Sequence, residues 1–125
     1  LGYLVCKNNA VHTKIARQLP EWNLSCFAQE AGCICAKQAE FIEKTKIYIE
    51  EERQFMEKEL MQIGLRTFPS VSNFITIYSD KPLYEKLLKK GILIRDCSNF
   101  RGLGKGFYRI AVKSRKENKI LLENL

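Results

Sequence analysis

The chain has one histidine, one tryptophan and three prolines in 125 residues. It has no apolar run near the roughly 20 residues a bilayer-spanning helix needs. Five cysteines, odd in number and without a regular framework, argue against a disulfide scaffold and for a reducing compartment. Cys33 and Cys35 form a C-x-C, and Cys26 shares a helical face with Cys33. With one histidine and no second C-x-x-C, a zinc site is not expected, and the cysteines are expected to be small buried residues. GLGKGF lacks the G-x-x-x-x-G-K-[ST] spacing, which excludes a P-loop. No repeat or low-complexity tract interrupts the chain.

What is present suits one globular domain, or a domain with a fragment of another. Hydrophobic residues are 46% and charged residues 28%, with mixed signs, a composition that does not favour disorder. The formal net charge of +7 fits nucleic acid, an anionic membrane surface or a small phosphorylated ligand. The lysines are scattered rather than blocked, which speaks against a nucleic-acid tail.

In chain order, LGYLVCK reads as a short strand whose sheet neighbours lie upstream, so the chain is expected to be a piece of a longer protein. Asn8 and Asn9 can cap a helix over about Ala10 to Leu19, on which His12 reads as a surface or capping residue. Pro20 ends that helix. Asn23 or Ser25 can start a second one through Ala36, whose small residues Ala28, Gly32 and Cys33 allow close approach. Lys37 to Ile63 is the longest periodic segment. Ala39, Ile42, Ile49, Met56, Leu60 and Ile63 form one stripe, and Phe41, Tyr48 and Phe55 a second, as expected of a helix wedged between domains. Gly64 stops it. Beyond lie LRTF and Asn73–Ser79 as strands and a helix to Lys90 capped by Asp80 with Pro82 in its first turn. Two more strands then precede a final helix, capped by Ser114 and Glu117, with Ile120, Leu121, Leu122 and Leu125 as its core contacts. The C-terminal half is thus β-β-α-β-β-α.

Ile92 to Lys113 organises the rest. Side chains alternate across a strand. Ile92 and Ile94 therefore face away from Leu93 and Arg95, while Tyr108, Ile110 and Val112 face away from Phe107, Arg109, Ala111 and Lys113. Antiparallel pairing about the loop centre sets Arg95 directly opposite Arg109. Like charges so placed repel unless an anion lies between them. The pair, with Lys105 reaching in from the loop, is a candidate anion site; a solvated basic face satisfies the same spacing.

Four stretches in order, LGY, LPEWNLSCFAQ, SVSNFITI and GILIRDCSNFRGLGKGFYRIAVKSRKENKILLENL, resemble the C-terminal part of fold-type-I pyridoxal-phosphate enzymes. Within that superfamily the chain is similar to the histidinol-phosphate aminotransferase branch. More narrowly it looks like the threonine-phosphate decarboxylases of cobalamin biosynthesis, to which IRDCSNF-x-GL and P-x-WN point.

The resemblance implies an α/β enzyme whose C-terminal small domain is α+β, with a long interdomain helix before a small, mostly antiparallel sheet packed on helices. It further implies that residues 1–36 are a remnant of the large cofactor-binding domain, 37–63 the interdomain helix and 64–125 the small domain. Arg109 matches the family arginine for the substrate α-carboxylate, Arg95 the one for the substrate phosphate, and Lys105 a further phosphate-binding lysine. Gly102, Gly104 and Gly106 leave that loop able to close over a phosphate. The family's cofactor lysine falls upstream of LGY, so no catalytic or cofactor-binding residue is expected here, and the chain alone is expected to be inactive. The full-length parent is expected to be a cytoplasmic homodimer using pyridoxal 5'-phosphate on a small phosphorylated amino acid. Neither nucleic acid nor membrane is expected as a partner. A basic RNA-binding α+β module is the rival reading; it requires aromatic residues exposed on a sheet face, whereas Phe74, Tyr78 and Tyr108 read as core.

Overall fold

Residues 1–125 are all described by the computed structural model. They pack as two compact units, Leu1–Ile42 and Glu43–Leu125, divided inside the longest helix. No helix is long and apolar enough to cross a membrane.

The first unit holds α1 (Asn9–Ala16) and α2 (Cys26–Ala36). Asn8 caps α1, its side chain accepting from the Ala10 and Val11 N–H groups at 3.0 and 3.2 Å. Ser25, rather than Asn23, caps α2, accepting from Ala28 N–H at 3.2 Å. The expected strand at LGYLVCK is not formed: an extended segment needs a neighbour for its backbone donors and acceptors, and none pairs with it in this chain. The Leu1 side chain instead occupies the space that a Cβ at Gly32 would need. Trp22 is almost wholly exposed and has a φ of +56°, an uncommon conformation for a bulky residue. The buried-cysteine expectation fails here too: Cys26, Cys33 and Cys35 are exposed and only Cys97, in the second unit, is buried.

α3 (Ala39–Gln62) carries both apolar stripes, yet only its C-terminal half is in the core. Met56 and Leu60 are fully buried and Ile49 and Phe55 partly so, whereas Phe41, Ile42, Tyr48 and Ile63 are exposed. Gly64 ends it with a φ of +79°, where other residues are strained. The Leu65 N–H returns to the Leu60 carbonyl at 3.0 Å and the Gly64 N–H to Met61 at 3.0 Å, the hydrogen-bond closure of a left-handed helix end.

The sheet is β1 (Arg66–Phe68), β2 (Phe74–Tyr78), β3 (Arg95–Asp96) and β4 (Phe107–Ala111), in spatial order β1-β2-β4-β3. Every neighbouring pair is antiparallel. Ile75, Ile77, Tyr108 and Ile110 point to one face and join Met56, Leu60, Leu83, Leu87, Ile94, Val112 and Leu121 in a single core. α4 (Leu83–Leu88) is shorter than expected and its cap differs. Pro82 stands at the N-cap without a side-chain bond, and Asp80 instead accepts from the Tyr78 hydroxyl at 2.6 Å. The first strand of the Ile92–Lys113 pair shrinks to Arg95–Asp96, Ile92 to Ile94 approaching it as irregular chain.

α5 (Arg115–Asn124) begins in the expected capping box of Ser114 and Glu117. Leu121 is buried and Leu122 and Leu125 partly so, but Ile120 is exposed. A polar network ties α5 to α3. Arg115 Nε donates to both Glu52 oxygens at 2.9 and 3.0 Å, and Asn118 Nδ2 to Glu52 Oε2 at 2.8 Å. Asn118 also closes on the Lys113 backbone, accepting from its N–H at 2.9 Å and donating to its carbonyl at 3.0 Å.

The Ser114 hydroxyl, then the Lys113 ammonium, hold the Glu117 carboxyl at about 2, well below its ordinary 4.5. A carboxyl depressed in the folded state contributes stability that is full above its unfolded pKa and lost as pH falls toward its folded one. The melting temperature, followed by circular dichroism, is therefore expected to decline from about pH 4.5 to about pH 2. The decline should be shallower in Glu117→Gln; an identical profile in that variant would remove Glu117 as a cause.

Candidate anion site

The site lies on the sheet face opposite the core, at the β3–β4 edge. Alternation along β4 buries Tyr108 and Ile110 and leaves Phe107, Arg109 and Ala111 on the other side. β2 does the same, burying Ile75 and Ile77 while Phe74, Thr76 and Tyr78 stay half-buried. This corrects the placement of Phe74 and Tyr78 in the core; of the three strand aromatics, only Tyr108 is there. The open face carries a packed aromatic row, with Phe107 lying 5.6 Å from Phe68 and 5.1 Å from Tyr78 between ring centroids.

On this face Arg95 is paired directly opposite Arg109, as strand alternation requires. Arg109 Nε is buried and makes no hydrogen bond within the chain. Its guanidinium lies 4.5 Å from the centre of the Phe74 ring and 5.7 Å from that of Phe100. Arg95 is more open; it lies 5.3 Å from the Phe100 ring and donates to Asn99 Oδ1 at 3.0 Å. Guanidinium forks bind carboxylates and phosphates in bidentate geometry. A buried N–H without a partner costs stability unless a ligand takes it, so the arrangement fits an oxyanion.

Sequence order builds the surroundings. Asp96 Oδ1 accepts from the Ser98 N–H at 2.7 Å, and Phe100 N–H closes a turn on the Cys97 carbonyl at 2.9 Å. The Ser98 N–H and hydroxyl, with the Arg95 charge behind them, hold the Asp96 carboxyl below its ordinary range. Burial pushes the Cys97 thiol up, while the nearby Arg109 and Arg95 charges pull the other way.

An open cavity of about 670 Å³ is lined by Phe74, Tyr84, Leu93, Arg95, Asn99 and Arg109 among others. Lys105 lines a separate cavity of about 420 Å³ with Tyr78, Asp80, Glu85 and Tyr108; Asp96 and Ser98 border both. The structure thus brings two of the three expected residues together and sets Lys105 on the far side of Asp96 and Ser98. In that loop Gly106 has a φ of +89°, and a Cβ on it would lie 2.8 Å from the Ser79 carbonyl oxygen. Glycine is required there to pass the chain across the end of β2. Phe74, Asn99 and Phe100 were not expected in the site. Alternation with Arg109 across β2–β4 could have indicated Phe74, but nothing in the spacing marks Phe100.

The first cavity contains no lysine, so it cannot bond an aldehyde cofactor through an amine. Its paired guanidinium groups fit an oxyanion.

The second unit is thus an α+β fold that presents paired arginines at the β3–β4 edge of an antiparallel sheet. Residues 1–125 match the aminotransferase class I and II family over their whole length, and the chain belongs to that family. A Caldanaerobacter subterraneus subsp. tengcongensis protein, provisionally named a threonine-phosphate decarboxylase, is 40% identical over 130 residues, 100% of this chain and 35% of its own length. Threonine-phosphate decarboxylase of Salmonella typhimurium is 31% identical over 129 residues, again 100% of this chain and 35% of its own. The crystal structure of histidinol-phosphate aminotransferase from Clostridium acetobutylicum matches with a TM-score of 0.85 and 36% identity, over 94% of this chain and 37% of that one. The chain spans about a third of the length of the curated relatives it matches.

Proposed function

We propose that this chain is the substrate-anchoring C-terminal part of a pyridoxal-phosphate-dependent L-threonine-O-3-phosphate decarboxylase. The observation that carries the reading is Arg95 opposite Arg109 on an open face, with the Arg109 Nε–H buried and unpartnered. The threonine-phosphate decarboxylase names of the 40% and 31% identical relatives support the choice of substrate. In this reading Arg109 forks onto the α-carboxylate and Arg95 takes the phosphate, while Lys105 stands in the neighbouring cavity and adds positive charge from its loop.

Residues 1–36 belong with the cofactor-binding domain and 64–125 form the small domain, joined by the helix over 37–63. The cofactor is held elsewhere in the full-length enzyme and supplies the electron sink for the bond that breaks. This chain supplies orientation. Arg109 sets the angle of the Cα–carboxylate bond, and binding energy at the distant phosphate is used to hold that angle. Without the cofactor domain the chain has no turnover. A homodimer working in the cytoplasm follows from the family resemblance.

The test is on the full-length protein, loaded with pyridoxal phosphate and given L-threonine O-3-phosphate without a keto acid. Release of carbon dioxide with aminopropanol phosphate is the expected result. The 36% identity to a histidinol-phosphate aminotransferase of known structure supports a second reading. Silence in the first assay, with transamination of histidinol phosphate once 2-oxoglutarate is added, would establish that one instead.

A further inference from the structure

We propose that Phe100 is the positioning residue of the two-arginine site: its ring is the shelf that holds the guanidinium groups of Arg95 and Arg109 side by side. The inference rests on the reading of the pair as the substrate-anion site, and goes further in naming what makes the pair possible.

Two cations set opposite each other on neighbouring strands repel. No carboxylate hydrogen-bonds either guanidinium: the one hydrogen bond of the Arg95 group goes to the neutral Asn99 amide, the neighbouring Asp96 accepts from Ser98, and Arg109 Nε has no partner. What both groups share is one ring, its centre 5.3 Å from Arg95 and 5.7 Å from Arg109, while Phe74 adds a second ring 4.5 Å from Arg109 alone. The negative face of a ring attracts a cation within about 6 Å, and favours a flat guanidinium in particular.

Phe100 is delivered there by backbone geometry. The Asp96–Ser98 bond and the Cys97–Phe100 turn fold the chain back immediately after Arg95. The Leu103 N–H then donates to the Phe100 carbonyl at 3.0 Å, fixing the loop beyond. Phe100 is half-buried and lies outside the core cluster, so core packing does not account for its position. A ring within cation–π range of both guanidinium groups restrains them before the substrate arrives.

The experiment compares Phe100→Leu and Phe100→Tyr in the full-length, cofactor-loaded enzyme. Affinity for L-threonine O-3-phosphate is read as KM and, on the same full-length protein stripped of cofactor so that no turnover occurs, as Kd by calorimetry. Phe100→Leu keeps apolar bulk but loses the π face. It is expected to weaken KM and Kd about tenfold, the scale of two exposed cation–π contacts, with kcat changed less than about threefold. Phe100→Tyr should stay within about twofold of the parent.

Wild-type affinity in Phe100→Leu would overturn the proposal, as would a loss confined to kcat or a Tyr variant as weak as the Leu variant. Arg95→Ala and Arg109→Ala run in the same titration separate the two layers. If they weaken binding while Phe100→Leu does not, the shelf is wrong and the anion site stands. If neither arginine variant changes Kd, the anion site itself is refuted.

Discussion

Arg109→Ala in the full-length enzyme is expected to lower kcat/KM by about 10²- to 10³-fold, with the fold intact. A bidentate charge-assisted pair is worth roughly 3–4 kcal/mol when one partner is truncated, and each 1.4 kcal/mol is a factor of ten. Stability should move the other way or not at all. Removing one of two opposed cations relieves repulsion along β3–β4, and removing the buried Nε–H deletes an orphan donor. Such a trade of activity against stability marks a site whose strain is offset by ligand binding. Arg109→Lys should recover little, since an ammonium restores the charge but not the planar fork. Near-normal kinetics with a lowered melting temperature would instead make Arg109 a structural residue of the open face. The solvated basic face weighed from the sequence makes the same kinetic forecast, and this measurement separates it from the anion site.

The second large effect is structural. Glu52→Ala is expected to destabilise the α3–α5 contact by about 3 kcal/mol, because breaking one member of a buried ionic network leaves the others without partners. Glu52 is 4% exposed and Asn118 1%, so the Asn118 amide would lose one of its two donated bonds, keeping that to the Lys113 carbonyl, in a place water does not reach. Arg115 is about half exposed and can be rehydrated, and it retains the Phe55 ring 3.8 Å from its guanidinium carbon, which keeps the expected cost below the upper end for buried pairs. Hydrogen exchange on the full-length protein reads it locally. Amides of α5 should exchange about 10²-fold faster, while those of α1 and α2 do not change. Combining Glu52→Ala with Asn118→Ala should cost less than the sum of the two, since both remove the same bond. Strict additivity would show that the network is not the source of the loss.

The Glu117 titration and the Phe100 comparison are smaller effects, but all four rest on the same division between local and distant interactions. Local devices were legible. Asn8, Ser25 and the Ser114–Glu117 box act over two or three residues, and Gly64 ends its helix within one turn. The β-β-α-β-β-α order followed from periodicity and turn residues, and the mostly antiparallel sheet from the family resemblance. Membership of the class I and II aminotransferase family was visible in the order of four stretches, and the family match over 1–125 bears it out.

Where the reading failed, a distant partner decided. LGYLVCK has the composition of a strand but no neighbour in the chain to pair with. The two stripes of α3 are continuous in the sequence, yet burial begins only around Ile49, where the sheet and α5 supply surfaces to pack against. Asp80 was expected to cap α4, but the Tyr78 hydroxyl from the end of β2 takes its carboxylate.

The candidate site divides along the same line. The sequence by itself determined that Arg95 and Arg109 each lie across from their strand's apolar side, because alternation is a property of a strand alone; pairing about the loop centre, the register the structure has, then sets them opposite each other. Tertiary structure decided the rest. Turning the chain back after Cys97 placed Phe100 across both guanidinium groups, and bringing β2 beside β4 placed Phe74 against Arg109. Passing Gly106 over the end of β2 carried Lys105 into the neighbouring cavity. Those placements depend on which surfaces meet once the loops close, a balance of packing and closure entropy that no short window of residues encodes.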